Sequence, residues 1–387
     1  MPTTSPARSA YGTEPIGRIF LRLLFMLVLQ LVLSALALGV AELRDLRQLG
    51  RIGLKTLAYT VAVSGIAVLL GVGLVNLVRP GAGLSSELRA RLTAHTQSGA
   101  PAAAPSGATG IDFVVQLVPS NVVKAMVDGD MLAIMFFALF LGIGLALTRT
   151  PAARHFETAL QGLYDVVMKL LDLVIRTAPV GVACLLFTLT ARLGYEILGQ
   201  LGWYVFVVVT GLAIQQFVVY SLSVWWLGGM RPRDFFRAVR PAVVTAFSTA
   251  SSNATLPTAL QVAEENLHLP SQVSRFVLSI GSTANQNGTA LFEGVTVLFL
   301  AQFYGVELAL SQQFQVVFIC ILGGIGTAGV PAGSIPVIAM ILGMVGVPPE
   351  GIGIILGVDR VLDMCRTTVN VTGDLAAAVV VARGEPR

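Results

Sequence analysis

The chain has 387 residues, of which 55% are hydrophobic and only 12% charged, and its mean hydropathy is +0.80. A soluble globular domain carries about 25% charged residues, so half the usual polar surface is missing and a large soluble helical protein is a poor fit. The net charge of +4 does not signal a nucleic-acid binder, because the basic residues lie in short links between apolar runs rather than in a cluster.

In chain order, Met1–Gly17 has no apolar core ending in a cleavage site and reads as a polar leader, not a signal peptide. Phe20–Ala41 is the first apolar span, followed by a basic link with Arg44, Arg47, Arg51 and Lys55. A second span covers Thr56–Val78. A long loop then runs to about Asp112, with the Ala/Pro/Ser/Gly-rich run Ser98–Gly110 inside it, a composition that suits an exposed connection. Further spans are predicted at Met131–Thr148, Ala159–Leu193 and Leu198–Leu227. About 20 apolar residues suffice to cross a bilayer. A second basic link holds Arg231, Arg233, Arg237 and Arg240. Alternating the spans puts both basic links on one side, the cytoplasm by the positive-inside rule. The fold expected is therefore an all-α integral membrane protein.

After Arg240 the texture changes. Pro241–Ala263 is uncharged but rich in Ser, Thr and Asn, and Phe276–Val306 is apolar except for Thr283–Thr289 and Glu293. Leu308–Pro349 is apolar but broken at Gly323–Pro331. Lipid cannot satisfy free backbone groups, so a break at membrane depth survives only when buried in protein or lining a cavity. Two interrupted apolar stretches, each followed by a polar-centred helix, point to a transporter site at a repeat interface.

The last segment, Gly351–Ala382, places Asp359, Asp363, Arg366, Asn370 and Asp374 at spacings of four, three, four and four. At about 100° per residue they share a stripe about 80° wide. A charge at the bilayer centre costs at least ~2.5 kcal/mol, so the stripe must face protein, water or ligand. A structural salt bridge between Asp359 and Arg366 would leave Asp363 and Asp374 unexplained. A guanidinium offers a bidentate fork for a carboxylate, and an aspartate one turn away can take an ammonium. Together they suit an amino acid with an acidic side chain. Asp374 with backbone carbonyls from the broken segments would give the all-oxygen cage that a hard cation prefers. The histidines, His95, His155 and His268, lie outside the apolar spans, and Cys184, Cys320 and Cys365 have no metal-type spacing, which argues against an enzyme.

Several motifs resemble the glutamate transporter family, the dicarboxylate/amino acid:cation symporters. Ser251–Pro257 is similar to the serine-rich tip of its first re-entrant hairpin, Asn285-Gln286-Asn287-Gly288-Thr289 to its Asn-Met-Asp-Gly-Thr motif, Gly326–Pro331 to its second hairpin tip, and Asp359–Asp374 to its last helix. The resemblance runs from about Arg18 to the C-terminus. It implies a homotrimer in the cell membrane, with broken helices, inverted repeats and an elevator motion. Scaffold elements would cover about 18–45 and 112–197, and transport elements about 50–80 and 198–383. Hairpin 1 would lie at about 241–267 and hairpin 2 at about 308–347.

The resemblance also implies roles. Arg366 and Thr289 would hold the substrate's side-chain carboxylate, Asp363 and Thr367 its amino group, and Asn370 and Ser252 its α-carboxylate, with the backbone at Val330 helping to close hairpin 2. One Na⁺ would be held by the carbonyls of Gly281, Asn285 and Asn370 with the Asp374 carboxylate. A second would use carbonyls of Thr283, Gly324, Ile325 and Thr327. Acidic amino acids are the implied substrates, with C4-dicarboxylates or neutral amino acids as alternatives within the family and a non-accumulating channel or receptor outside it.

Three departures stand out. The family places one more helix before Phe20–Ala41, so either the start is truncated or the scaffold is reduced. A further cation site of the family falls here on Asn287, Thr60 and Val63, with only Ser64 retained, and a neutral amide and a valine should hold a cation poorly. Asn253 replaces a serine. Glu293, a lone carboxyl in an apolar run four residues beyond Thr289, is a candidate proton site, because desolvation favours the neutral acid. The alternative is a glutamate held by a polar neighbour in a packed helix.

Overall fold

The computed structural model describes residues 6–42, 51–82, 118–128, 131–148, 150–193, 196–326 and 334–384. All regular structure among them is helical. α1 spans Pro6–Glu42, α2 Arg51–Val78, α3 Val122–Asp128, α4 Met131–Leu147, α5 Pro151–Arg176 and α6 Ala178–Leu193. α7, Glu196–Ile214, continues to Leu227 through π-helical turns at Gln215–Val219 and Ser223–Leu227. α8 is Pro232–Thr249, and α9 is Ser252–Gln261 with a π-helical turn at Val262–Asn266. α10 (Ser271–Ala284), α11 (Asn287–Tyr304), α12 (Leu310–Gly326), α13 (Ser334–Met344) and α14 (Ile352–Ala382) complete the order.

Segments of α1, α2 and α7 are long and apolar enough to cross a membrane: Thr13–Ala41, Arg51–Val78 and Ile197–Leu227. Their outward faces carry large apolar side chains, such as Leu69, Leu77, Trp203, Phe206 and Trp226. That is the surface expected where lipid rather than water is the solvent. The basic link with Arg44 and Arg47 and the long loop before Asp112 lie outside the described residues.

Some boundaries differ from those the sequence suggests. The segment expected as a polar leader continues α1 from Pro6, and Thr13 Oγ1 bonds Thr188 Oγ1 of α6 at 2.9 Å. The span expected over Ala159–Leu193 breaks at Thr177, whose Oγ1 donates to Val174 O at 2.7 Å. Pro179 follows, and a proline cannot supply the backbone donor that a continuous helix needs. The helix expected to open hairpin 1 at about 241 starts at Pro232, because α8 is amphipathic there. Phe235 and Val239 are buried while Arg233, Arg237 and Arg240 stay exposed, so the helix outruns the apolar stretch. Proline at the first helical position starts it well.

Two packing groups emerge. α1 packs against α4, α5 and α6, while α2, α7 and α8 to α14 pack largely among themselves, with α11 lying along α2 and α14 against α8, α10 and α11. α11 is enclosed almost completely, with Leu291, Phe292, Glu293, Val295 and Phe299 all at 0% exposure. Small residues allow this: a Cβ at Gly71 of α2 would lie 3.0 Å from Leu291 O.

Candidate functional site

Two of the described chain breaks lie against α14. In hairpin 1, Ala250 takes a left-handed conformation (φ 50) and ends α8. Ser251 then caps α9, its Oγ accepting from Ala254 N at 3.2 Å. Between α10 and α11 the chain leaves the helix for Asn285 and Gln286 only. In hairpin 2, α12 and α13 flank residues 327–333, so the expected contributions of Thr327 and Val330 lie outside the described residues.

The polar stripe of α14 is buried throughout: Asp359, Asp363, Arg366, Thr367, Asn370 and Asp374 are each at 7% exposure or less. Arg366 organises its upper part. Nη2 donates to Asp363 Oδ1 at 2.8 Å and to Asp359 Oδ1 at 3.2 Å. Nη1 donates to Ser334 Oγ of α13 at 2.6 Å. The guanidinium lies 3.9 Å from the centre of the Phe292 ring, a cation–π contact that gains strength away from water. Nε is buried and makes no hydrogen bond among the described residues. The Asp359 pair weighed as purely structural is therefore present, and Asp363 shares the same nitrogen.

Asn370 ties α14 to the break before α11. Its Oδ1 accepts from Gly288 N at 2.7 Å, and its Nδ2 donates to Thr289 Oγ1 at 3.0 Å and to the Gln286 side chain. A Cβ at Gly288 would lie 2.7 Å from Arg366 O, so only glycine lets the strands of backbone approach this closely. Ser252, at the start of α9, is 3% exposed, and its Oγ has no hydrogen bond among the described residues. Thr289, Asn370, Arg366 and Asp363 are thus brought together by direct contacts or a shared helix face. Ser252 reaches the group only through the packing of α9 on α14.

Asp374 forms a second centre. Its Oδ1 accepts from Asn285 Nδ2 at 2.9 Å. Gly281 lies against the same oxygen, where a Cβ would come within 2.5 Å. Asn285 Oδ1 is buried beside it with no donor among the described residues. Oxygen acceptors crowding one carboxylate suit a hard cation such as Na⁺. Gly281 and Thr283 belong to the last turn of α10, and Gly324 and Ile325 to the last turn of α12. Helix C-termini carry negative partial charge, and Gly281 O also accepts from Asn285 N at 3.0 Å.

Asn287 sits in a closed neutral network. Ser64 Oγ donates to its Oδ1 at 2.6 Å, its Nδ2 donates to Tyr220 Oη at 3.2 Å, and Tyr220 passes the chain to Val369 O at 3.0 Å. Thr60 and Val63 are buried nearby on α2. Glu293 is fully buried and lies against hairpin 2: a Cβ at Gly323 would be 2.9 Å from Glu293 Oε2. Sequence reasoning missed Ser334, Phe292 and Gln286 as members of the site. Only Gln286 carried a signal, as part of the polar break.

Helices long and apolar enough to cross a membrane, packed with a long helix that carries a buried ion-pair stripe and is met by a chain break, fit a multi-pass secondary transporter. The model of the sodium:dicarboxylate symporter family matches residues 7–384, and the chain belongs to that family. It is 34% identical over 373 residues to a proton/glutamate-aspartate symporter of Escherichia coli (strain K12), covering 96% of this chain and 85% of the relative. It is 33% identical over 384 residues to a proton/sodium-glutamate symport protein of Bacillus subtilis (strain 168), covering 98% and 88%. A C4-dicarboxylate transport protein of the same bacterium is 28% identical over 382 residues, covering 96% and 87%.

Proposed function

We propose that the protein is a cell-membrane symporter that accumulates aspartate or glutamate by coupling their entry to Na⁺ and a proton. The observation that carries the reading is Arg366, fully buried on α14, bonded to Asp363 and four residues before Asn370, which bonds Thr289. Its guanidinium takes the side-chain carboxylate with Thr289, and Asp363 shifts from Nη2 to the incoming ammonium with Thr367 alongside. Asn370 and Ser252 receive the α-carboxylate, and the Val330 backbone closes hairpin 2. The printed names of the relatives support an acidic amino acid as substrate.

The need for cations follows from the buried charge. Among the described residues the core holds four carboxyl groups, Glu293, Asp359, Asp363 and Asp374, against one guanidinium, Arg366. An acidic amino acid adds another net negative charge, and uncompensated charge in a low-dielectric core is costly. One Na⁺ is assigned to Asp374 with carbonyls of Gly281, Asn285 and Asn370. A second is assigned to carbonyls of Thr283, Gly324, Ile325 and Thr327, and the proton to Glu293. The Asn287 network occupies its pocket without a charge and needs no third cation. The two packing groups support an elevator in which α2 and α7 to α14 move against α1 and α4 to α6, in a homotrimer.

The test is uptake of labelled aspartate into liposomes holding the purified protein, with Na⁺ replaced by choline and pH stepped separately. Accumulation against the aspartate gradient that collapses without Na⁺ is expected. Binding or current without accumulation would refute the symporter reading. Stronger competition by succinate than by glutamate would move the substrate to C4-dicarboxylates.

A further inference from the structure

The exposed face of α8 changes character along its length. Arg233, Arg237, Arg240, Val244 and Phe247 follow one another at spacings of four, three, four and three. At about 100° per residue they form one stripe about 80° wide. Phe235, Val239, Ala242 and Ala246 are buried on the opposite face, so the stripe points away from the protein. The three arginines are exposed, and Val244 and Phe247 remain 57% and 43% exposed. Beside the basic end, the last turn of α7 presents Trp225 and Trp226 to the outside. Arg383 Nη1 fixes that turn by donating to Trp226 O at 2.8 Å and to Leu227 O at 3.0 Å. Among the described residues no carboxylate pairs with Arg233, Arg237 or Arg240. Glu264, on the π-helical turn that packs beside α8, is held by Arg275 at 3.1 Å.

We propose that this face of α8 binds an anionic phospholipid, with Arg233, Arg237 and Arg240 on its phosphate and Val244 and Phe247 along an acyl chain. A rise of 1.5 Å per residue spreads the arginines over about 10 Å, whereas the headgroup layer on one side of a bilayer is only about 5–8 Å deep. Tryptophans settle at that layer, so with Trp225 and Trp226 there, Arg240 starts at acyl-chain depth. Its guanidinium then reaches back to the phosphates along its own apolar stem. A guanidinium fork matches phosphate oxygens, and the apolar half of the stripe matches a hydrocarbon chain. Free phosphate or an acidic peptide would meet only the first half. A zwitterionic lipid carries its own ammonium, and three arginines without a counter-charge favour a lipid that does not. Each arginine at an anionic surface is worth about fivefold in binding, so three select by about a hundredfold. Basic residues at the end of a span also help to orient it during insertion. That role ends with folding and does not distinguish one lipid from another.

The experiment reads lipid contact through the tryptophans beside the arginines. The chain has three tryptophans, so W203F leaves Trp225 and Trp226 as the only ones to report. This protein is reconstituted into phosphatidylcholine vesicles doped with brominated phosphatidylglycerol or, separately, brominated phosphatidylcholine, and fluorescence quenching is followed against mole fraction. Brominated phosphatidylglycerol should reach half-maximal quenching at a mole fraction at least about tenfold lower. R233Q/R237Q/R240Q on the same background should remove that difference, and R233K/R237K/R240K should keep most of it. A check that needs no substitution at the arginines is salt: raising NaCl from about 0.1 to about 1 M shortens the screening length from about 10 to about 3 Å and should weaken the preference. Equal quenching by the two lipids overturns the proposal, as does a preference that survives the glutamine variant or is indifferent to salt. Inorganic phosphate that abolishes the preference at the same concentration as the lipid makes this a phosphate site and overturns it too. No transport substrate enters the assay, so its outcome is independent of the symporter reading.

Discussion

Replacing Arg366 with threonine removes the guanidinium from four partners at once. Nη2 loses its contacts of 2.8 and 3.2 Å with Asp363 and Asp359, Nη1 loses Ser334, and the Phe292 face is uncovered. Removing one member of a buried charge pair costs about 3–5 kcal/mol, and 1.4 kcal/mol is a factor of ten. Aspartate affinity should therefore fall by at least about a hundredfold. Part of the loss falls on the protein itself, since Asp359 and Asp363 lose their buried counter-charge. The substrate-specific part is separated by measuring serine and alanine uptake in the same vesicles. Those substrates do not need the guanidinium, and their transport should persist or appear for the first time. Initial rates of labelled aspartate and serine uptake, with carrier density fixed by protein assay, give both KM values. An aspartate KM within about threefold of wild type, a difference well below one factor of ten, would refute Arg366 as the carboxylate ligand.

Other outcomes follow from the same geometry. Asp374→Asn should raise the Na⁺ midpoint at saturating aspartate far more than it raises the aspartate KM, because the carboxylate faces Asn285 and Gly281 and not the Arg366 cluster; an unchanged midpoint removes Asp374 from the cation site. Glu293→Gln should abolish the pH term in the reversal potential of aspartate flux while leaving the Na⁺ term; a full sodium complement in wild type with no pH term ends the proton assignment. Asn287→Asp places a buried carboxylate between Ser64 and Tyr220 and should make uptake depend more steeply on Na⁺; full activity with unchanged steepness argues against a pocket filled by the amide.

How far the sequence reached depended on whether a feature is written in one helix or between two. The stripe of α14 was legible because its residues recur at helical spacing and charge is expensive in lipid, so their burial and mutual contact could be inferred before any packing was known. The breaks at Asn285–Gln286 and after Thr249 were legible for a related reason, as polar or turn-forming residues inside otherwise apolar runs. The break at Thr177 was missed because the span was read from its apolar character, although Pro179 stood beside it. The start of α8 was placed too late, since charged residues on the exposed face of an amphipathic helix resemble a link. Ser334 and Phe292 were out of reach. A lone serine or a phenylalanine in an apolar helix looks like packing until the fold sets it against Arg366. The neutral network at Asn287 was half visible, as a missing carboxylate, but Tyr220 joins it from a helix far away in the chain.

That network has an electrical consequence. In the proposed elevator cycle, a carboxylate at position 287 and its bound cation would cancel on the loaded stroke, so the amide would leave that stroke's total charge unaltered. On the empty return the carboxylate would travel alone, and the amide removes that charge from the transmembrane field. One elementary charge moved through 100 mV is worth about 2.3 kcal/mol, or roughly fiftyfold in the concentration ratio a carrier can sustain. On the proposed coupling, Asn287 would thus set a lower ceiling on accumulation at a given resting voltage.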